Sequence, residues 1–376
     1  MHKESRQSAG HDPGRAIRHI FLEEGCADLP YAQEICARAD LPVTIIADRQ
    51  EPPVAYPPFP ANLQEGKEHL LLCKNRGSFF KPCPGTKEYR CCDYQVLNIG
   101  MGCPMDCVYC ILQAYLNNPW LSFFVNTDAL FNELDLAFQR TTQFWRIGTG
   151  EFTDSLALDH LTALSPRLVH YMRDKTRGVL ELKTKSVAIN HLAELDHNGR
   201  TIIAWSLNAP QIMAREEIRT ADLNARLAAA RQVAAMGYKL AFHFDPIIHH
   251  EGWQEGYSAT IKQLFDMVPA EKIAWVSLGA LRFLPPLKAI ALSRFPGSTF
   301  FHEEFITGLD NKQRYFRGLR VEMYNHLLTE LRSRASPHTC LYFCMESDEI
   351  WQECGFAAGK SQSLANDLDQ AFERCA

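Results

Sequence analysis

Gly102-Cys103-Pro104-Met105-Asp106-Cys107-Val108-Tyr109-Cys110 sets three thiols in a C-x3-C-x2-C spacing. On a compact loop that spacing lets Cys103, Cys107 and Cys110 converge on one inorganic cluster while a fourth ligand is missing. Iron–sulfur clusters are ordinarily held by four cysteines, so a three-cysteine loop leaves one iron open to a small molecule and to chemistry on it. A structural zinc site reads differently: zinc loops pair two C-x2-C-like units, and no second matching pair lies nearby. Scattered buried thiols are the remaining bland reading.

The rest of the chain must house such a loop. At 376 residues it exceeds the usual single domain, although (β/α) barrels often run past ~200 residues as one unit. Hydrophobic content of 46% and charged content of 22% leave ample chain to bury a core. The formal charge of −5 gives no global pull toward nucleic acid, while charge distribution still permits a local basic groove. Thirteen cysteines are many for a chain whose N-terminus, Met1-His2-Lys3-Glu4-Ser5, lacks an apolar signal core. No run approaches the ~18 apolar residues of a membrane span. A cytoplasmic location without membrane attachment follows as an expectation, and there clustered thiols more often bind metal than form disulfides.

Taken in order, residues 1–15 read as a disordered polar tail, and 16–92 as a small α/β unit and linker. That unit has strands at 17–22 and 43–47 around a helix at 31–38. Residues 51–60, with five prolines, form an extended segment. The approach to the triad, 74–92, is loop-rich and carries Cys83, Cys91 and Cys92, which either shield the cluster, bind a second metal or fill space as free thiols. From Tyr94 the pattern turns periodic. Strands are expected at 94–100, 144–148, 178–185, 201–207, 239–244 and 273–278, with helices at 128–141, 166–174 and 223–236 between them. Ser165-Pro166 reads as a cap with proline at the first helical position, and Gly237 as a stop. Alternating strands and helices predict a parallel α/β sheet. With no Rossmann glycine fingerprint after the first strand, a partial (β/α)6 TIM-like barrel over 93–305 is the better fit. A C-terminal extension, 306–376, holds a helix to about 331, a strand at 339–343 and Cys340, Cys344, Cys354 and Cys375.

The triad resembles the signature of radical S-adenosylmethionine enzymes. That resemblance implies a 4Fe–4S cluster whose unique iron chelates S-adenosyl-L-methionine, in a barrel of the radical SAM type. Barrel enzymes gather reactive groups at the carboxyl ends of their strands, and this chain is polar there: Gly148, Gly150 and Glu151; Lys183 and Lys185; Ser206 and Asn208; His243 and Asp245. Burying these charges together is costly unless they meet a polar ligand, and a zwitterionic, ribose-bearing cofactor would supply partners. By the same resemblance the glycines around Glu151 form the turn that approaches the methionyl group. Each group has a plainer reading as well: Lys183 ion-paired, Asn208 making a turn before Pro210, His243 and Asp245 a satisfied buried pair.

More narrowly, the chain is similar to the spore photoproduct lyase family of DNA-repair lyases. The strings that carry this are the triad with Tyr109 and Leu112-Gln113, Asp159-His160-Leu161-Thr162, Thr184-Lys185, His197-Asn198-Gly199, Asn208-Ala209, His250-Glu251-Gly252-Trp253 and Glu255-Gly256-Tyr257. The resemblance implies that Lys185, Ser206 and Asn208 belong to the cofactor and substrate pocket, that Tyr109 is catalytic, that damaged DNA or another nucleic acid is the partner, and that a flavodoxin or ferredoxin supplies electrons. Two departures stand out. Where lesion-repairing members carry a hydrogen-donor cysteine in the loop after the second strand, this chain has Glu151, and the tyrosine expected after the last cluster cysteine is Ile111. Cys344, just past an apolar strand, is the replacement donor if that strand closes the barrel edge; ordinary packing is the alternative. The family's DNA-wedging hairpin corresponds to a shorter basic-aromatic segment, 312–324, with Arg314, Tyr315, Arg317 and Arg320. Radical chemistry on an RNA, a peptide or a metabolite, and a cluster-bearing redox sensor without catalysis, are the competing functions.

Overall fold

The computed structural model describes residues 13–85, 88–359 and 361–376. Residues 1–12 of the anticipated tail lie outside it, whereas Pro13–Ala16 form a 3-10 turn with Pro13 and Gly14 buried, so the fold already includes Pro13.

Two sheets organise the molecule. The first has the order β2-β1-β3-β8-β6 and comprises β1 (His19–Glu23), β2 (Val43–Ile46), β3 (His69–Cys73), β6 (Gly100–Met101) and β8 (Leu121–Phe124). All its pairings are parallel except β6 on β8. The second runs from β4 (Phe80–Pro82) and β5 (Gln95–Leu97) through β9 (Trp145–Gly148), β10 (Gly178–Thr184), β11 (Thr201–Ser206), β13 (Lys239–Ile247) and β14 (Ile273–Ala280) to β18 (Cys340–Phe343). Only β4 is antiparallel. The six expected barrel strands are present and β18 joins β14 as a seventh. The first strand is shorter than expected: its anticipated end at Gly100 turns away into the other sheet.

Strands buried on both faces in a parallel sheet read as continuous apolar runs. β11 (Thr-Ile-Ile-Ala-Trp-Ser) and β14 (Ile-Ala-Trp-Val-Ser-Leu-Gly-Ala) are buried at every position. The helices are α1 (Pro30–Ala39), α2 (Asn62–Gly66), α3 (Leu112–Tyr115), α4 (Thr127–Arg140), α5 (Asp159–Thr162), α6 (Leu164–Met172), α7 (Pro210–Glu216), α8 (Leu223–Ala235), α9 (Trp253–Met267), α10 (Pro285–Arg294), α11 (Arg317–Arg332), α12 (Asp348–Glu353) and α13 (Ser361–Arg374). α8 is capped by Asp222, whose carboxylate accepts from Ala225 N at 2.8 Å, and stopped by Gly237 at φ +93°. α6 starts earlier than expected: Ser165 does not cap it, because its hydroxyl and amide both bond Asp159 (2.6 and 2.8 Å).

Two features shape the barrel's ends. α13 spans its base, where the Arg146 guanidinium bonds Ala365 O (3.1 Å) and the Asp369 carboxylate, and Lys239 Nζ bonds Phe372 O (2.7 Å). On the open side, residues 88–94 fill the gap between β5 and β18. Arg90 makes an isolated antiparallel bridge with Glu346 there (N–O 3.1 Å). Among the described residues no helix is long and apolar enough to cross a membrane.

Candidate active site

The cysteine loop leaves β6 and is clamped along its length. β7 (Asp106–Cys107) pairs antiparallel with β12 (Glu217–Ile218), matching Cys107 to Glu217, and Val108 N donates to Glu216 O at 2.9 Å. Asp106 is buried between Arg294, which grips it through both oxygens (3.0 and 2.8 Å), and Lys67 (3.0 Å). Gln113 Nε2 ties down the carbonyls of Cys107 (3.1 Å) and Val108 (3.0 Å), and Arg294 bonds the Gln113 amide oxygen in turn. A loop so fixed holds its thiols without help from a ligand.

The donor set fits an iron–sulfur cluster. Three thiols sit on one rigid loop, and Cys103 and Cys110 both line one cleft. Among the described residues no three His, Cys, Asp or Glu side chains converge closely enough for a single ion; a four-iron cube takes one thiolate per iron and needs no such convergence. Burial pushes the Cys103 thiol up to about 12 and Cys107 well above the ordinary range, with Lys67 and Lys185 respectively pulling the other way. Loading metal on these thiols therefore releases protons.

Beside the loop, buried Tyr109 donates to the Glu217 carboxylate. Glu217 also pairs with fully buried Arg226 (2.6 Å), which bonds the carbonyls of Ser206 (2.7 Å) and Ala221 (2.8 Å). Burial alone would raise Glu217, but Arg226 and Lys185 outweigh it and hold its pKa below the usual value. The Lys185 ammonium lies 5.6 Å from the centre of the Tyr109 ring.

The turn after β9 is organised by Asp154. Its carboxylate accepts from Leu156 N (3.0 Å), Ala157 N (2.9 Å), Thr184 Oγ1 (2.6 Å) and Lys185 N (2.8 Å), locking this turn to the end of β10. Gly150 lies against Lys183, where an added Cβ would stand 3.3 Å from its side chain. Gly148 lies under the Tyr94 hydroxyl, where an added Cβ would stand 1.5 Å from that oxygen. Glu151 is exposed at the mouth. Among the described residues neither its carboxylate, nor the Lys185 ammonium, nor the Ser206 hydroxyl forms a hydrogen bond that would keep it from a ligand.

Two expected cofactor residues are committed elsewhere. Asn208, 1% exposed, accepts from Tyr257 Oη (2.6 Å) and Ala209 N (3.0 Å) and donates to Pro246 O (2.9 Å). It ties the chain just after β11 to the end of β13 and to α9. Asp245 is bound through both oxygens by Arg282 (3.0 Å each). Burial would raise its pKa, yet Arg282 and Lys183 outweigh it and keep the carboxylate ionised. His243 is satisfied too, but by Glu181 at 2.5 Å and not by Asp245.

Cys344 stands in this polar ring. Arg282 Nη2 donates to its sulfur at 3.4 Å, and Asp245, Lys183 and Glu151 all act on the thiol electrostatically. Burial pushes it up to about 11. Lys183 is surrounded by Glu151, Glu181 and Asp245, which outweigh the cost of burial and raise its pKa. Cys83, Cys91 and Cys92 line a second cleft with Cys344 at the seam between β5 and β18, so they border the Cys344 side of the mouth.

The basic-aromatic segment requires correction. It forms β17 (Gln313–Tyr315) and the start of α11, with β15 (Arg282–Phe283) and β16 (Phe305–Thr307) completing a small antiparallel sheet. Arg314 is 1% exposed and paired with Asp310 (2.7 Å), Tyr315 is fully buried, and Arg320 is tied to the buried Glu346 carboxylate. Arg317 pairs with Glu353 on the surface. The hairpin exposes large apolar side chains, Leu309 at 70% and Phe316 at 65%, beside the exposed polar residues Thr307 and Asn311.

Sequence reasoning missed Asp106, Lys67, Arg294, Asp154, Glu217, Arg226 and Arg282. Asp106 alone carried a local signal, being a charge inside the cysteine loop. The others are ordinary charged residues until the fold buries and pairs them.

The family profile described as Spore photoproduct lyase matches residues 86–330. The spore photoproduct lyase of Geobacillus sp. (strain Y412MC61) is 28% identical over 283 residues, covering 74% of this chain and 79% of that protein. The spore photoproduct lyase of Bacillus subtilis (strain 168) is 26% identical over 285 residues, covering 74% and 82%. Among solved structures, a spore photoproduct lyase double mutant with bound AdoMet and dinucleoside spore photoproduct superposes with a TM-score of 0.78 at 23% identity, over 87% of this chain and 98% of that one. A profile match that runs from the approach loop through the six expected barrel strands into α11 makes this chain a member of the spore photoproduct lyase family.

Proposed function

We propose that the chain is a radical S-adenosylmethionine lyase that reverses a pyrimidine photoproduct in DNA, with Cys344 serving as the hydrogen donor that Glu151 has displaced. The observation that carries the second part is a thiol 3.4 Å from Arg282 in the ring that also holds Asp245, Lys183 and Glu151. Family membership carries the first.

Cys103, Cys107 and Cys110 hold the cluster. Lys185, Ser206, Gly150 and Glu151 line the place of the methionyl and ribose groups. When bound, a 4Fe–4S cluster and S-adenosylmethionine supply one-electron cleavage and hydrogen-atom abstraction; the protein supplies position and electrostatics. Tyr109 and Glu217 brace the loop beside Lys185.

Fragmentation of the lesion leaves a carbon radical that must regain a hydrogen atom. The donor's S–H bond breaks, a C–H bond forms, and the sulfur keeps the unpaired electron. Such a donor must be a thiol and not a thiolate. At about 11, Cys344 is protonated at neutral pH. Cys91 is unsuited, since hydrogen bonding from Cys92 and then from Asp93 N lowers its pKa in spite of burial. A Glu151 carboxyl O–H bond is too strong to donate readily. For DNA, the exposed Leu309 and Phe316 offer an apolar wedge of the kind that unstacks bases. A flavodoxin or ferredoxin supplies the electron.

The test is anaerobic reconstitution followed by S-adenosylmethionine, dithionite and a dinucleoside spore photoproduct. Wild type should cleave the cofactor and restore thymines. Cys344→Ala should keep iron content and cofactor cleavage while thymine release falls about 100-fold or more, a loss on the scale seen when a proton-transferring group is removed, although here it is a hydrogen atom that is transferred. Unchanged thymine release in that variant overturns the donor role; cofactor cleavage without any repair by wild type overturns the substrate.

A further inference from the structure

Residues 88–94, which fill the gap between β5 and β18, carry Cys91 and Cys92, and these line one cleft with Cys83 and Cys344. Among the described residues no three such groups converge where a single metal ion could sit, so what these sulfurs can do is decided in pairs. Cys91 and Cys92 are a pair in contact: the Cys92 thiol donates to the Cys91 sulfur, and Asp93 N donates to the same sulfur at 3.4 Å. The pair is held in place. Cys91 N donates to Ser361 Oγ at 2.9 Å, at the start of α13, and the Cys92 carbonyl accepts from Arg146. The neighbouring Arg90 is fixed by Asp348 (2.8 Å) and lies over the Trp351 ring at 4.3 Å. Gly85 borders the half-buried Cys91, where an added Cβ would stand 3.1 Å from the sulfur, so a glycine there leaves it room.

Cys91 differs from its neighbours in charge. Hydrogen bonds from Cys92 and from Asp93 N outweigh burial and lower its pKa, with the Arg146 guanidinium acting in the same direction. Burial instead pushes Cys83 up to about 12 and Cys344 up to about 11. A small oxidant entering the cleft therefore meets one thiolate among protonated thiols, with a second thiol already touching it. A reactive thiolate beside a resolving thiol is the arrangement in which a sulfenic acid forms and is converted to a disulfide.

We propose that Cys91 is a hydroperoxide-reactive site and that Cys92 is its resolving thiol. The Cys91 sulfur attacks the peroxide O–O bond and takes one oxygen as a sulfenic acid, while the other leaves as water with a proton from solvent. The Cys92 sulfur then displaces the hydroxyl: an S–S bond replaces the S–OH bond, and water leaves with the Cys92 proton. Two cysteines are oxidised by two electrons and one hydrogen peroxide is reduced to two waters. Consecutive Cα atoms lie about 3.8 Å apart, short of the ~4.4–6.8 Å that a relaxed disulfide spans. The bond is therefore strained, and a dithiol reductant reopens it readily. Peroxide is thereby consumed beside Cys344 before that slower, protonated thiol reacts. No residue assigned to the cluster or to S-adenosylmethionine takes part, so the site stands apart from the repair reaction.

The experiment treats the full chain, reconstituted anaerobically so that the triad thiols are occupied, with one equivalent of hydrogen peroxide in the presence of dimedone, and reads each cysteine by mass spectrometry. In wild type the peptide carrying Cys91 and Cys92 should lose two hydrogens and regain them with dithiothreitol. Cys92→Ser should accumulate the dimedone adduct on Cys91 at least about fivefold above wild type, because its sulfenic acid no longer has a thiol in contact. Cys91→Ser should abolish both products and raise the oxidised fraction of Cys344 at least about twofold, since no thiolate competes for the oxidant. Its melting temperature and its cofactor cleavage before peroxide should match wild type; should it fail to fold, the wild-type and Cys92→Ser readings still carry the test. Wild-type protein in which peroxide leaves Cys91 unmodified overturns the proposal. A disulfide from Cys91 to Cys83 or Cys344, or no gain of adduct in Cys92→Ser, overturns the pairing with Cys92. Protein that forms the Cys91–Cys92 disulfide yet repairs no lesion overturns the proposed function and leaves this site standing.

Discussion

Cys344 and Cys91 show how burial and partner decide what a thiol can do. Cys344 has a cationic hydrogen-bond donor in Arg282, but desolvation dominates and the thiol stays protonated. Cys91 accepts from Asp93 N at 3.4 Å and from Cys92, and these bonds stabilise its thiolate. Since only the thiolate is nucleophilic, iodoacetamide should label Cys91 at a rate already flat by pH 8 and falling as the solution is acidified. Labelling of Cys344 should still be rising above pH 9. Site-resolved mass spectrometry over that range checks both; a Cys91 rate that climbs steadily from pH 8 to pH 10 contradicts the assignment. Glu151 is the other informative residue. Glu151→Gln should weaken S-adenosylmethionine binding, measured by calorimetry on the reconstituted protein, by about tenfold, as expected for losing a charge-assisted hydrogen bond worth ~1.5–3 kcal/mol; unchanged affinity counts against its role.

At the scale of elements, the two-residue ladder of β7 on β12 does more than its length suggests. It joins the cysteine loop to a buried ion pair, Glu217 with Arg226, whose side chains are 1% and 0% exposed. Removing one partner of such a pair strands the other charge and costs about 3–5 kcal/mol. Glu217→Ala should therefore lower stability by roughly that amount in urea unfolding, and reconstituted iron should drop with it because the loop loses its clamp. Glu217→Gln, which keeps the bond from Tyr109 but not the charge, should fall between. Full stability and full iron in the alanine variant would show that the ladder is incidental. β18 is the second decisive element: without its pairing to β14, Cys344 has no route to the mouth.

For the whole molecule, closure at the base and along the seam comes from chain distant in sequence. α13 buries Leu364, Leu368 and Phe372 and supplies carbonyls and a carboxylate to Arg146 and Lys239. A chain ending at residue 359 should expose the apolar surface α13 covers and strip Arg146 of the Ala365 carbonyl and the Asp369 carboxylate, leaving it the Cys92 carbonyl. We expect it to aggregate or to melt at least about 10 °C lower, given several buried side chains at ~1.5–3 kcal/mol each. Differential scanning fluorimetry measures the shift, and an unchanged melting point would make α13 an appendage.

The sequence alone determined what is local. C-x3-C-x2-C is a spacing, and spacing on a loop constrains what three thiols can bind wherever the loop lies. The barrel strands are apolar runs because a parallel sheet is buried on both faces, so five of the six expected barrel strands appear close to their expected bounds. Tertiary structure decided everything that depends on pairing across the chain. It turned Gly100 and Leu121–Phe124 into the N-terminal sheet and spent Asn208 on Tyr257 and Pro246. It sent Arg314 and Arg320 inward to Asp310 and Glu346 and brought Cys344 to Arg282 and Asp245. A charged side chain reads the same in sequence whether solvent or a buried carboxylate completes it, and only the fold supplies the partner that settles which.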